Sequence, residues 1–376
     1  MYTDLTREFL KNGHDVYVAA PNNKSTEVFI EGGIKVLRIK TLPLFNTSFI
    51  RKGFANLLLP YQYKKAINGH FGNICFDLVI TPTPPITFIE TACYLKNKCN
   101  SKVYLILRDI FPQNARDLGL IRNNFIFNYF RRQEKKLYKI ADAIGCMSEK
   151  NIDYVKSHNP EVKINKLHLL ENWSSVREVN ETNIQIKSIP EFRNKFVLIF
   201  GGNFGVPQKI EFLIEVAERL KQKKEILFLL VGNGTEKSKI KNLILEKKVN
   251  NIKILNQLPR EKYMELLKEC DVGLVNLSDK FTIPNIPSRT LSYWSLKLPV
   301  LAAVDNNTDF GDLLRRSNGG MWSITGNVDD YISNLLFLYS NPEKRKQMGK
   351  DGYRYLINEL NTEKAYNIII TKVSNI

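Results

Sequence analysis

Short apolar runs alternate with amphipathic stretches along almost the whole chain, and they do so in two blocks. DVYVAA (15–20), KVLRI (35–39), FDLVIT (76–81), KVYLIL (102–107) and DAIGCMS (142–148) have the length and side chains of buried strands. TPPITFIETACYLKN (83–97) and NFIFNYFRRQEKKLYKIA (124–141) have helical spacing. The pattern restarts with KFVLIFGG (195–202), EILFLLVG (225–232), NIKILNQ (251–257), CDVGLVNL (270–277) and PVLAAVD (299–305), interleaved with helices such as 210–223 and 235–248. Such alternation predicts parallel sheets covered by helices on both faces. Two blocks predict an α/β fold of two doubly wound, Rossmann-like domains, residues 1–172 and 195–356. The polar, aperiodic stretch 173–194 reads as the linker, and 357–376 as a C-terminal helix packing back toward the first domain. At 376 residues the chain also exceeds one ordinary core of ~100–200 residues.

The first block breaks its own rule at the start. It opens with a helix, YTDLTREFLKNG, stopped at Gly13, where a doubly wound domain opens with a buried strand. Either a first strand and its glycine turn are missing ahead of this helix, or the fold begins with a helix. The missing strand is the expectation.

Composition narrows the class. No apolar stretch approaches the ~18 residues that span a bilayer, and the N-terminus lacks the apolar region of a signal peptide. A cytoplasmic protein is expected, with possible residence on the inner face of the membrane. Cys75, Cys93, Cys99, Cys146 and Cys270 show no metal-ligand spacing, and His14, His70, His158 and His168 form no His-x-x-x-His pair. No metal site and no cofactor are expected. Net charge is +17, of which +11 falls in residues 1–170. That excess suits a phosphorylated substrate, an anionic membrane or nucleic acid, and a solvated basic surface accounts for it equally well.

Three stretches can hold an anion. FGGNFGVPQK (200–209) joins a strand to a helix through Gly201, Gly202 and Asn203, with Lys209 at the helix start. Bare backbone and free N–H groups at a helix start suit phosphate, and lysine adds a cation. A tight turn is the plain alternative. The pattern is neither G-x-G-x-x-G nor G-x-x-x-x-G-K-[ST], so dinucleotide and ATPase readings lose support. Gly232 and Gly234 in LLVGNG form a second such turn, and IPNIPSRT a third, with Ser288 as helix cap and Arg289 just inside. Together they predict a phosphate-bearing ligand at the carboxyl edge of a sheet.

FGGNFGVPQK, LLVGNG, LNQLPREKYMELLKECDVGLVNL and PSRTLSYWSLKLPV resemble the C-terminal half of retaining GT-B glycosyltransferases of family 4. NGHDVYVAAP, DLVITPTPP, LILRDIFPQNARDLGL, ADAIGCMSE and LLENW resemble the first half. The resemblance is closest to the capsule and O-antigen branch, including N-acetylfucosamine transferases. It implies two Rossmann-like domains facing a cleft and a nucleotide-sugar donor, with the diphosphate held by the second domain. It also implies an upstream strand with a Gly-Gly turn that lines the cleft. Lys209 matches the lysine that neutralises the leaving diphosphate, the start at Ser288 and Arg289 the segment whose N–H groups face the phosphates, and Leu258 with Pro259 the base-packing position. Three departures stand out. Asn203 replaces a frequent arginine. Pro284 and Ser292 stand where two glutamates are usual, the second a ribose ligand. Lys297 replaces a glycine.

The resemblance implies metal-independent transfer, and no Asp-x-Asp triplet is present. Lys209 and the glycine loops are assigned to leaving-group stabilisation. Asp109, in LRDIFPQN, is the candidate to orient or deprotonate an acceptor hydroxyl, or else it caps the following turn. Glu171 and Asn172 touch the donor sugar or shape the crossover between domains. Residues 49–72 and 121–139 mix basic, aromatic and aliphatic side chains. The first reads as contact with an anionic membrane, suiting a lipid-linked saccharide acceptor, or as an ordinary helix. The second reads rather as a helix with its apolar side in the core. The expected activity is transfer from a nucleotide-sugar, UDP-linked and of the N-acetylated deoxyhexosamine type, to that acceptor. The alternatives are a sugar-nucleotide 2-epimerase, disfavoured because no histidine lies in a glycine loop, and a non-catalytic basic scaffold. Specific nucleic-acid binding lacks any signature beyond charge.

Overall fold

The computed structural model describes residues 1–43, 49–176 and 189–376. They form two compact units, Met1–Glu171 with Thr362–Ile376, and Asn172–Asn361.

Unit 1 runs α1 (Tyr2–Lys11), β1 (Tyr17–Asn22), β2 (Glu27–Glu31), β3 (Ile34–Lys40), α2 (Phe49–Phe71), β4 (Leu78–Pro82), α3 (Ile89–Cys99), β5 (Lys102–Leu107), α4 (Gln113–Asp117), α5 (Asn124–Ile140), β6 (Ala143–Cys146), α6 (Glu149–His158) and β7 (Leu167–Leu169). Its strands form two sheets, not one. β4-β5-β6-β7 is parallel throughout. β1-β3-β2 pairs β1 parallel and β2 antiparallel to β3. β5 is the buried centre of the larger sheet, with Val103 to Leu107 at most 1% exposed. α2 packs Leu59, Tyr63, Ile67 and Phe71 against Leu37 and Ile39 of β3. Its remaining surface exposes Phe54, Leu57 and Tyr61 at helical spacing.

α5 corrects the reading of 121–139 as a helix with its apolar side in the core. Its C-terminal half does bury Glu134, Leu137 and Tyr138. Its N-terminal half exposes Phe125, Ile126 and Tyr129, and Asn123 caps its start by accepting from the Phe125 and Ile126 N–H groups.

Unit 2 runs β8 (Phe196–Asn203), α7 (Ile210–Arg219), β9 (Ile226–Asn233), α8 (Lys237–Glu246), β10 (Ile252–Leu255), α9 (Arg260–Lys268), β11 (Val272–Asn276), α10 (Arg289–Ser295), β12 (Val300–Val304), α11 (Phe310–Ser317), β13 (Gly320–Ile324), α12 (Val328–Ser340) and α13 (Pro342–Glu359). Its six strands are parallel, in the order β10-β9-β8-β11-β12-β13. Continuous apolar runs explain this: Val197 to Phe200 of β8 are fully buried between helices on both faces. The strand order reverses between β8 and β11, which opens a crevice at their carboxyl ends.

After Leu360 the chain re-enters unit 1 as α14 (Thr362–Ser374). Tyr366 packs edge-on against Phe9 and hydrogen-bonds His14 Nε2 at 2.9 Å. The expected terminal helix of 357–376 is thus two pieces, because α13 runs to Glu359 within unit 2.

Candidate donor site

The crevice of unit 2 is built around the end of β8. Gly202 (φ +140°) and Gly232 (φ +157°) face each other in register, and a Cβ on Gly232 would lie 1.9 Å from the Gly202 carbonyl oxygen. A Cβ on Gly201 would lie 1.8 Å from the Tyr263 hydroxyl of α9. These glycines let the chain close on itself. Gly232 is fitted to its neighbouring loop, and Gly202 and Asn203 remain exposed. Gly234 lies against the Phe204 backbone, again too close for a side chain.

Lys209 stands at the start of α7 in the left-handed region, φ +38°. Its Nζ lies 2.7 Å from Asp279 Oδ2, and the two side chains are 32% and 46% exposed. The Ser278 N–H donates to the Pro207 carbonyl at 2.8 Å, which pins the Asp279 loop against the turn that precedes Lys209.

Arg289 is placed differently from the expectation. Its guanidinium lies over the Phe200 ring, 4.3 Å from the centroid, and beneath the loop, with Nη2 3.4 Å from where a Gly202 Cβ would stand. Nη1 is buried without a hydrogen-bond partner. Burial holds the guanidinium pKa below its usual value. Ser288 is not a side-chain cap: its dihedrals (−70°, −14°) are already helical, and its hydroxyl makes no capping bond. α10 is also only seven residues long. The cation, rather than the helix start, is what this segment brings to the loop.

Ser292 and Leu258 are half-buried on α10 and ahead of α9, and Pro284 is buried. Asn172 has a structural task, donating from Nδ2 to the Ile286 carbonyl at 2.8 Å and holding the segment before α10.

Three neighbours of the loop escaped the sequence reading. Tyr293 accepts from the Gly201 N–H at 3.4 Å and donates toward the carbonyls of Ile199 and Leu274, tying β8 to β11. Tyr263 backs Gly201, and burial raises its pKa. Asp279 pairs with Lys209. All three meet the loop through contacts between distant segments, which no local pattern encodes.

In unit 1, Asp109 follows β5. Its carbonyl, rather than its carboxylate, closes the next turn by accepting from the Phe111 N–H at 3.1 Å. Burial raises the carboxyl pKa, and Arg108 beside it pulls the other way. Arg108 is itself buried, and its N–H donates to Thr83 Oγ1 at 3.1 Å. Among the described residues no three His, Cys, Asp or Glu side chains cluster as metal ligands, and no helix is long and apolar enough to cross a membrane.

Fold and site define an α/β protein whose second unit presents two cations and a glycine loop at a sheet switch point. Residues 181–355 match the family of glycosyl transferases group 1, and that segment is a glycosyltransferase domain of this group. The chain is 25% identical over 264 residues to the probable glycosyltransferase WbjE of Pseudomonas aeruginosa, covering 69% of this chain and 65% of that relative. Sucrose-phosphate synthase of Thermosynechococcus elongatus superposes with a TM-score of 0.78 at 13% identity, covering 99% of this chain and 91% of the other. Anabaena HepE in complex with UDP superposes with a TM-score of 0.67 at 13% identity, covering 92% and 87%. The fold is GT-B.

Proposed function

We propose that the chain transfers a sugar, with retention, from a UDP-linked donor to a lipid-linked saccharide. The observation that carries the donor half is the pair of cations at one exposed glycine loop, one of them a buried guanidinium with an unpartnered N–H. A diphosphate would satisfy that N–H, balance the guanidinium charge and compete with Asp279 for the Lys209 ammonium. As the anomeric C–O bond breaks, negative charge grows on the leaving diphosphate. Lys209, Arg289 and the backbone at Gly202 and Asn203 would stabilise it, without need of a metal. The acceptor oxygen forms the new bond and its proton passes to a base. Asp109 is assigned that role because burial makes its carboxylate more basic.

The acceptor half rests on the surface of unit 1. Phe54, Leu57 and Tyr61 of α2 and Phe125, Ile126 and Tyr129 of α5 are exposed, and Leu57 and Tyr61 share one cavity with Tyr129. Lys64 and Lys65 follow on α2. Apolar and basic groups in one area suit an anionic bilayer carrying the acceptor. An N-acetylated deoxyhexosamine donor and a role in capsule or O-antigen assembly belong to the same proposal, on the motif resemblance.

A thermal-shift panel with UDP, GDP, CMP and dTDP, with and without EDTA, tests the donor half, since a ligand that binds only the folded protein raises its melting point. A UDP shift that survives EDTA is the expected result. No shift with any of the four would refute the reading.

A further inference from the structure

β4 and β5 run parallel, with Leu78 beside Lys102 and Pro82 beside Ile106. Carried back three residues on each segment, the same register sets Cys75 beside Cys99. The contact does continue ahead of the strands. The Lys102 N–H donates to the Asp77 carbonyl at 2.8 Å, the Ser101 hydroxyl to the Phe76 carbonyl at 2.6 Å, and the Cys99 thiol to the Ile74 carbonyl at 3.8 Å. One residue further back, the Lys98 ammonium donates to the Gly72 carbonyl. The end of α3 is thus laced to the entry of β4 on both sides of Cys75. Adjacent strands lie ~4.7–4.9 Å apart, within the Cα separation of about 4.4–6.8 Å that a disulfide bridges. The two thiols are neighbours: hydrogen bonding with Cys99 is the main influence that raises the Cys75 pKa, and the Lys98 ammonium pulls it the other way. Cys75 is exposed and Cys99 half-buried, whereas Cys146 and Cys270 are sealed from solvent.

We infer that Cys75 and Cys99 are a reversible dithiol–disulfide pair, which exchanges with low-molecular-weight disulfides and, once closed, staples the end of α3 to the entry of β4. Exposure assigns the order of the steps. The Cys75 thiolate attacks one sulfur of the small disulfide, whose S–S bond breaks and releases one small thiolate. Cys75 then carries a mixed disulfide. The Cys99 thiolate attacks the Cys75 sulfur, the internal disulfide forms, and the second small thiolate leaves. Two cysteine thiols are oxidised, one disulfide is reduced to two thiols, and the two protons given up by the cysteines end on the released thiols. The raised pKa of Cys75 keeps its thiolate scarce at neutral pH, so the first step is slow there. Closure turns residues 75–99 into a loop and removes freedom from the unfolded chain, which stabilises unit 1. The inference stands apart from the proposed transferase activity, because neither thiol has a part in it.

The test equilibrates the full chain with oxidised glutathione at mildly alkaline pH, quenches it with acid, and reads intact and peptide masses. Wild type should lose two hydrogens and yield one linked peptide pair joining Cys75 to Cys99. Reduced glutathione should reverse both changes. Cys99→Ser removes the second step, so it should stop with glutathione on Cys75, and wild type should carry roughly tenfold less of that adduct or lower. Cys75→Ser should form no internal disulfide, and Cys93→Ser should close as wild type does. Thiols that stay reduced throughout, an adduct as abundant in wild type as in Cys99→Ser, or a link through Cys93 would each overturn the pair. Hydrogen–deuterium exchange then reads the staple. The sealed amides of β5 exchange when unit 1 opens as a whole, and they should exchange roughly tenfold more slowly, or slower still, in the oxidised chain. Unchanged exchange there would refute the staple.

Discussion

Lys209→Asn tests the anion cradle most directly. The lysine sits at φ +38°, where asparagine is tolerated better than most residues. The change therefore removes the ammonium and keeps the turn. A hydrogen bond to a charged group contributes about 1.5–3 kcal/mol, or roughly 10- to 150-fold in affinity. Lys209 is one-third exposed, so screening favours the lower part of that range, about 10- to 30-fold for UDP. Asp279 modifies the arithmetic. With Lys209 gone its carboxylate remains beside the loop as an unbalanced negative charge, and repels the ligand. Asp279→Asn alone removes a competitor for Lys209. A partly exposed ion pair contributes at most about 1 kcal/mol, so UDP should bind roughly two- to fivefold more tightly. The double variant should then bind better than Lys209→Asn, and the two effects should not add. Isothermal titration calorimetry at fixed ionic strength measures all four corners of the cycle. Wild-type affinity in Lys209→Asn would refute the cradle. Strict additivity would refute the competition by Asp279.

Further perturbations follow from other contacts. Gly201→Ala drives a methyl into the Tyr263 hydroxyl, an overpacking that costs about 1–3 kcal/mol; calorimetry should show a lower melting point for unit 2, and UDP affinity should fall with it. Asp109→Asn should abolish acceptor-dependent release of UDP and leave UDP binding intact. Because burial raises the folded pKa of Asp109 above its ordinary value, the ionised form burdens the fold at neutral pH. The same variant should therefore be more stable than wild type at pH 7, and lose that advantage below the ordinary carboxylate range, as urea titrations would show. His168 is buried against the Tyr104 hydroxyl at 2.7 Å, and burial lowers its pKa to about 4. Its folded pKa lies below the unfolded one, so its contribution is fully present above about pH 6.5 and lost as pH falls toward 4. His168→Gln should flatten the stability profile in that window. Sedimentation with anionic vesicles at low salt should weaken on reversing Lys64 and Lys65, and weaken further on Tyr61→Ser.

What could be read in advance divides along a physical line. β5, β8, β9, β11 and β12 were legible to within one or two residues because they are continuous apolar runs sealed on both faces. β2, EVFIE, was not, since all five of its residues are exposed and no buried face imposes a pattern. The glycine loop announced itself by composition, but the direction of Arg289 did not. A basic residue at a helix start looks the same whether it extends into solvent or lies over a ring beneath a loop, and the ring of Phe200 decides between them.

Lys297 stands where the motif has glycine, and the backbone here still takes the left-handed form, φ +58°. Lysine adopts it at a cost of about 1–2 kcal/mol. Its ammonium lies 5.1 Å from the Tyr353 ring centroid, which offsets part of that cost. The turn after α10 is thus kept although its usual residue has gone. The same cannot hold at Ser292, where the resemblance expects a carboxylate on the ribose. A neutral hydroxyl forms weaker hydrogen bonds than an ionised acceptor. Affinity for a nucleoside diphosphate should therefore rest more on the diphosphate contacts of Lys209 and Arg289, and less on the ribose. Ser292→Glu would separate these contributions. If the diphosphate contacts dominate, the variant should improve UDP affinity and leave the penalty of Lys209→Asn unchanged. A carboxylate at 292 that weakens UDP binding would place the ribose elsewhere in the crevice and refute the register read from the motif.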